Sequence, residues 1–94
     1  MSVPTPPEIT VFWRPGCGFC SALLSRLSAS ELDYATVNIW EDPDAAAYVR
    51  SVARGNETVP TVRVGDQALV NPSFRELTAA VDGRPPQKRP RLFC

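Results

Sequence analysis

The hydrophobic period of this chain switches between residues 13 and 17. Ile9-Thr10-Val11-Phe12-Trp13 is a short, β-rich apolar run that reads as a buried strand. Arg14-Pro15-Gly16 stops it. From Cys17 the pattern is helical: Leu23, Leu24 and Leu27 share one face, while Ser25, Arg26 and Ser28 lie away from it. A helix is predicted over about residues 18–29. A strand delivered directly into a helix points to an α/β layout, and the rest of the sequence fits one.

Tyr34–Ile39 alternates as a second strand. Asp42-Pro43 is a helix start, with Asp as N-cap, Pro at the first helical position and Asp44 in the first turn. The core face of that helix is predicted to be Ala45, Ala46, Val49, Val52 and Ala53, with Gly55-Asn56 as its stop. Thr61–Val64 and Ala68–Val70, joined by Gly65-Asp66-Gln67, read as a hairpin. Asn71-Pro72 is expected to open a last helix, with Phe74, Leu77, Thr78 and Val81 on one face and Gly83 at its end. The order β-α-β-α-β-β-α implies one four-stranded mixed sheet flanked by three helices.

The 94 residues make about one domain, and 44% apolar with 21% charged residues is an ordinary globular composition. Residues 1–7 are expected to be a disordered lead, 8–83 the folded domain and 84–94 a flexible tail. Ten bases balance ten acids, but Arg84, Lys88, Arg89 and Arg91 all fall in the last eleven residues, leaving residues 1–83 at −4. That balance argues against a nucleic-acid surface, and four cations without interleaved aromatics do not make one. No apolar run is long enough for a membrane span, so no membrane partner is expected. The start MSVPTPPEIT has neither the basic nor the apolar region of a secretory signal. A cytoplasmic monomer is the expectation.

Chemistry concentrates in Cys17-Gly18-Phe19-Cys20. The chain has no histidine, which removes imidazole bases and every zinc site that uses His. The remaining cysteine is Cys94, so one chain cannot complete a four-cysteine zinc site, and no metal is expected. Cys17 falls at a helix N-terminus, where unpaired backbone N–H groups and the positive dipole end favour the thiolate, the nucleophilic form. Arg14 either adds a nearby cation or is a solvated surface charge. Cys20, one turn further in, is expected to be buried and able to attack a mixed disulfide formed on Cys17. Phe19 between them is expected to expose its ring to partners, and Trp13 either covers the site or packs in the core, the latter being the preferred reading. No nucleotide-binding glycine pattern is present, so electrons must come from another molecule. Cys94 is expected to be an exposed thiol without a role.

With VFWRPGCGFC, then Thr58-Val59-Pro60, then the short hairpin and last helix, the chain resembles the glutaredoxins of the thioredoxin fold over about residues 8–83. The resemblance implies a disulfide reductase without a bound cofactor, in which Cys17 is the nucleophile and Cys20 the resolving thiol. It implies that Pro60 is a cis-proline facing the active site. It also implies that Val59, with Thr58 beside it, pairs its backbone with the bound thiol substrate like an extra strand.

Within that superfamily, DPDAAAYVRSVARGNETVPTV followed by LVNPS is similar to the mycoredoxins of actinobacteria. Ordinary glutaredoxins carry a Gly-Gly turn and acidic residues after strand four, which hold the charged end of glutathione; here Asn71-Pro72-Ser73 stands instead. Mycothiol, an acetylated cysteine on a sugar–inositol disaccharide, needs hydroxyl and amide partners rather than charge clamps. Asn71 and Ser73 can supply them, and both are equally good helix-capping residues. The resemblance thus implies mycothiol as reducing co-substrate, mycothiolated proteins as targets and mycothione reductase as the indirect electron source. It departs from mycoredoxins at Gly16, where many carry Trp. Redoxins that serve ribonucleotide reductase and take electrons directly from thioredoxin reductase are the alternative. A carrier bridging a metal or iron–sulfur cluster through Cys17 is a third reading, and Cys20 counts against it.

Overall fold

The computed structural model describes residues 8–83; the expected lead over 1–7 and basic tail over 84–94 lie outside the described residues. The elements are β1 (Ile9–Trp13), α1 (Gly18–Ser28), β2 (Ala35–Asn38), α2 (Pro43–Val52), β3 (Thr61–Val64), β4 (Gln67–Val70) and α3 (Phe74–Val81). The sheet runs β2-β1-β3-β4, with β1 parallel to β2 and antiparallel to β3, and β3 antiparallel to β4. The predicted mixed sheet with three helices is the architecture found. Among the described residues, no helix is long and apolar enough to cross a membrane.

β1 lies in the middle of the sheet, and both of its faces are covered. Ile9 and Val11 join Val62 and Val64 in a cluster closed by Leu23 and Leu27 of α1 and Leu77 and Ala80 of α3. Phe12 points the other way, into a cluster with Ile39 and with Ala45, Ala46 and Val49 of α2. Two covered faces explain why the β1 run is apolar nearly throughout rather than cleanly alternating. Thr61 is the buried polar side chain among the described residues, and its hydroxyl donates to the Thr58 carbonyl at 2.7 Å. β2 is an edge strand, and Ala35 and Thr36 on it are exposed.

The turn chemistry matches the strand ends. Val64 pairs with Gln67, so the hairpin loop is Gly65-Asp66 and Gln67 belongs to the strand. A two-residue hairpin needs positive φ, and Gly65 supplies it at +61°. Asp42 caps α2 as read, its carboxylate accepting from the Ala45 N–H at 3.1 Å. Of the predicted α2 face, Val52 is only half-buried.

Two expectations need correction. The last helix opens at Ser73, not at Asn71. Ser73 and Glu76 form a reciprocal capping box, while Asn71 sits at φ +51° and donates its N–H to the Pro60 carbonyl at 2.8 Å. The Ser-x-x-Glu signal was in the chain, and Asn-Pro two residues earlier masked it. Trp13 is half-buried at the end of β1 rather than in the core, where it lines an open hollow with Cys20, Ser21 and Leu24 of α1. Leu27, by contrast, is fully buried between α1, the sheet and α3. Leu27→Ala is expected to cost about 2–5 kcal/mol, seen as a lower urea midpoint at unchanged m-value.

Candidate active site

Cys17 is the N-cap of α1, and its φ/ψ of −93°/106° is extended, as that position requires. The cap is made by sulfur: Cys17 Sγ accepts the backbone N–H of Cys20 at 3.1 Å. The two cysteines are joined as a disulfide, with Cα atoms 5.2 Å apart. They differ in access. Cys20 lies inside the first turn and is 2% exposed, while Cys17 stays partly open to solvent.

The other wall comes from the loop before β3. The Val59–Pro60 bond is cis. The Val59 carbonyl oxygen lies 3.7 Å from Cys17 Sγ. Pro60 is fully buried, and Val59 packs on the cluster of Phe12 and Ile39. Among the described residues, no hydrogen bond engages the Val59 N–H. The Thr58 carbonyl is held by Thr61, and Thr58 lines neither of the hollows beside the disulfide.

Those hollows flank α1. One, about 200 Å³, is lined by both cysteines, Arg14, Gly16, Ser21 and Leu24, with Trp13 and Thr36 on its strand side. The second, about 210 Å³, brings together Phe19, Arg26, Asn71, Pro72, Ser73 and Phe74. Arg26 stacks on the Phe74 ring at 4.6 Å from its centroid. Arg14 thus shares a hollow with Cys17, whereas Phe19, Asn71 and Ser73 gather around the other. Phe19 is 72% exposed.

Arg26 and Phe74 are not read from the sequence as site residues, and Trp13, for which the sequence allows core packing or a cover over the site, lines the hollow beside the disulfide. For Arg26 the only available signal was its place one turn beyond Ala22 on the polar face of α1, which is also what a solvated arginine looks like. Asn71 and Ser73 are exposed, and the Ser73 oxygen is already an acceptor in the capping box. Its hydroxyl hydrogen can still donate outward. Among the described residues, no three His, Cys, Asp or Glu side chains gather as a potential metal site.

This arrangement suits thiol–disulfide exchange. The outer sulfur can be approached, accepts a backbone N–H, and has a second sulfur within bonding reach behind it.

The family model for glutaredoxin matches residues 9–69. A Mycobacterium tuberculosis protein provisionally named a glutaredoxin is 40% identical over 72 residues, 76% of this chain and 86% of that protein. Mycoredoxin 1 of Corynebacterium glutamicum is 35% identical over 76 residues, 80% of this chain and 94% of the relative. Among solved structures, the glutaredoxin-like NrdH-redoxin of Escherichia coli superposes with a TM-score of 0.59 at 29% identity. That match covers 72% of this chain and 84% of the other.

The difference in access has a direct chemical readout. After reduction, limiting iodoacetamide should label Cys17 and leave Cys20 nearly untouched, as read by peptide mass mapping. Equal labelling of both would contradict the buried placement of Cys20.

Proposed function

Because this chain belongs to the glutaredoxin family and is a thiol–disulfide oxidoreductase, we propose that it reduces mixed disulfides of mycothiol through Cys17, with Cys20 as the resolving thiol. The observation that carries the cysteine roles is the sulfur-capped helix, in which the Cys20 N–H donates to Cys17 Sγ while Cys20 itself is buried. The likeness to mycoredoxin 1 over most of both chains supports mycothiol. So does the Asn71-Pro72-Ser73 corner, which presents amide and hydroxyl groups where a glutathione site needs charge.

The reaction is two exchanges. Cys17 thiolate attacks the mycothiol sulfur of the mixed disulfide, and the target leaves as a thiolate that takes up a proton. Mycothiol is then held on Cys17 by an S–S bond. A second mycothiol thiolate attacks the held mycothiol sulfur, giving mycothiol disulfide and free Cys17. Alternatively Cys20 attacks Cys17 Sγ, releases mycothiol and closes the disulfide seen here.

In this reading Val59, whose N–H is unengaged, pairs with the substrate backbone, and Thr58 and Pro60 hold that loop in place. Arg14 lies beside the reacting sulfur. Phe19, Asn71 and Ser73 bind the remainder of the thiol. Mycothiolated proteins are the targets, mycothione reductase regenerates mycothiol, and the protein acts as a cytoplasmic monomer.

A second reading keeps Cys17 and Cys20 and replaces mycothiol by thioredoxin reductase. The 29% identity to a redoxin described for its thioredoxin-like activity profile favours giving it an arm in the test.

The test is an NADPH-coupled assay on a mixed disulfide in three arms: mycothiol with its reductase, glutathione with its reductase, and thioredoxin reductase alone. Turnover confined to the first arm is expected, and turnover in the third alone would transfer the protein to the second reading. Cys17→Ser should abolish turnover. Cys20→Ser should retain it on mycothiol mixed disulfides, and its complete loss would replace the monothiol route by a dithiol one.

A further inference from the structure

Three large hydrophobic side chains among the described residues are exposed: Phe19 at 72%, Trp40 at 64% and Val70 at 42%. All three belong to the end of the sheet that carries the disulfide. Phe19 lies between the two cysteines. Val70 ends β4 opposite Thr61, next to Pro60. Trp40 follows β2, whose last residue pairs with Trp13, and the Ile39 N–H donates to the Trp13 carbonyl at 2.9 Å. Ile39 in turn shares its cluster with Val59, the residue whose carbonyl approaches Cys17 Sγ. Trp40 and Val70 flank that end of the sheet at its two edges, and Trp40, the larger, lies on the side of Trp13 and Arg14.

The backbone at Trp40 is fixed in a turn. The Trp40 backbone N–H donates to Asn38 Oδ1 at 2.9 Å, and the Glu41 N–H closes the turn onto the Asn38 carbonyl at 3.0 Å. A tryptophan on a fixed turn loses little freedom when it is covered, and tryptophan is among the residues that dominate binding energies. The strip it opens, Trp40-Glu41-Asp42-Pro43-Asp44, has three acids and no base. The Asp42 carboxylate is occupied as the cap of α2. Neither Glu41 nor Asp44 takes part in an ion pair among the described residues. Arg63 shares a hollow with Asp44 but stacks over Tyr48 and Phe12 instead.

We propose that Trp40 with Glu41 and Asp44 forms a docking strip for protein substrates, taking an extended segment that carries the disulfide, an apolar side chain and a Lys or Arg. The apolar side chain rests on Trp40 and the cation faces Glu41 and Asp44. The proposal rests on the reading that Cys17 attacks the substrate disulfide at the Val59 wall. It gives that site a preference for polypeptide over small disulfides, and for basic over acidic flanks.

The test uses the full chain, reduced beforehand, in single turnover without mycothiol. The substrates are a peptide with Leu and Arg flanking a cysteine capped by 2-mercaptoethanol, the same peptide with Glu for Arg, and bis(2-hydroxyethyl) disulfide. Each turnover breaks one substrate disulfide, forms the Cys17–Cys20 disulfide, and passes two protons and two electrons to the two released thiols. Trp40→Ala should slow the Arg peptide about tenfold through weaker binding. Trp40→Phe should restore most of the rate, and the hydroxyethyl disulfide should be unaffected by either change.

Glu41→Lys should lower the preference for the Arg over the Glu peptide about fivefold, and less at high salt. Equal slowing of Trp40→Ala on peptide and small disulfide would overturn the proposal, as would an undiminished peptide rate. Because no mycothiol is present, failure of the mycothiol reading leaves this outcome unchanged. Failure of the Cys17 reading shows separately, as turnover by Cys17→Ser.

Discussion

One backbone amide organises the reactive end of this protein: the Cys20 N–H that donates to Cys17 Sγ. It makes the sulfur the N-cap of α1, so the start of the helix and the position of the reactive atom are the same structural fact. An N-cap acceptor normally comes from Ser, Thr, Asn or Asp. Replacing that oxygen by sulfur puts the more accessible cysteine at the start of the helix, and the same turn brings Cys20 behind it. Asymmetry between the two thiols then follows from the helix without further apparatus.

The helix is held there by β1. That strand lies between a parallel and an antiparallel neighbour and is covered on both faces, so the loop at its end is carried by the best-buried part of the molecule. The second wall of the site depends on the same strand through β3, which pairs with it and is preceded by Val59-Pro60. Asn71, reached through its hydrogen bond to the Pro60 carbonyl, ties the start of α3 to that wall. Three chain segments far apart in sequence meet within a few residues of one sulfur. Such a site tolerates approach from solvent because its support lies in the core rather than in its own loops.

The surroundings of the sulfur differ from one side to the other. Toward α3 lie Phe19, Arg26, Phe74 and the polar Asn71-Pro72-Ser73 corner, a concave setting for the non-thiol portion of a small molecule. Toward β2 lie Trp13 and Arg14, and beyond them the exposed Trp40 turn with its acids. The two flanks differ in their lining, aromatic and polar toward α3 and formed around Arg14 and Trp13 toward β2.

The order of strands and helices, the Asp42 cap, the hairpin and the Cys17–Cys20 pair were all legible from residue order, because each is set by neighbours within about one turn. The β-rich run ending at Trp13 and the helical spacing that begins at Cys17 left little freedom for the α/β layout. Other features depend on residues distant in the chain. Ser73 rather than Asn71 caps α3 because the Asn71 amide is drawn to Pro60, a contact that exists only once β4 is paired with β3. Trp13 lies half-buried beside the disulfide because the layers end there, and an apolar residue in a strand carries no mark of where its layer ends. Arg26 reached the hollow beside α1 through Phe74, forty-eight residues away, and Trp40 is brought to the same end of the sheet by the pairing of β2 with β1. Local hydrogen bonding and hydrophobic period are properties of sequence, whereas exposure and convergence arise only when the sheet closes and its ends come to lie side by side.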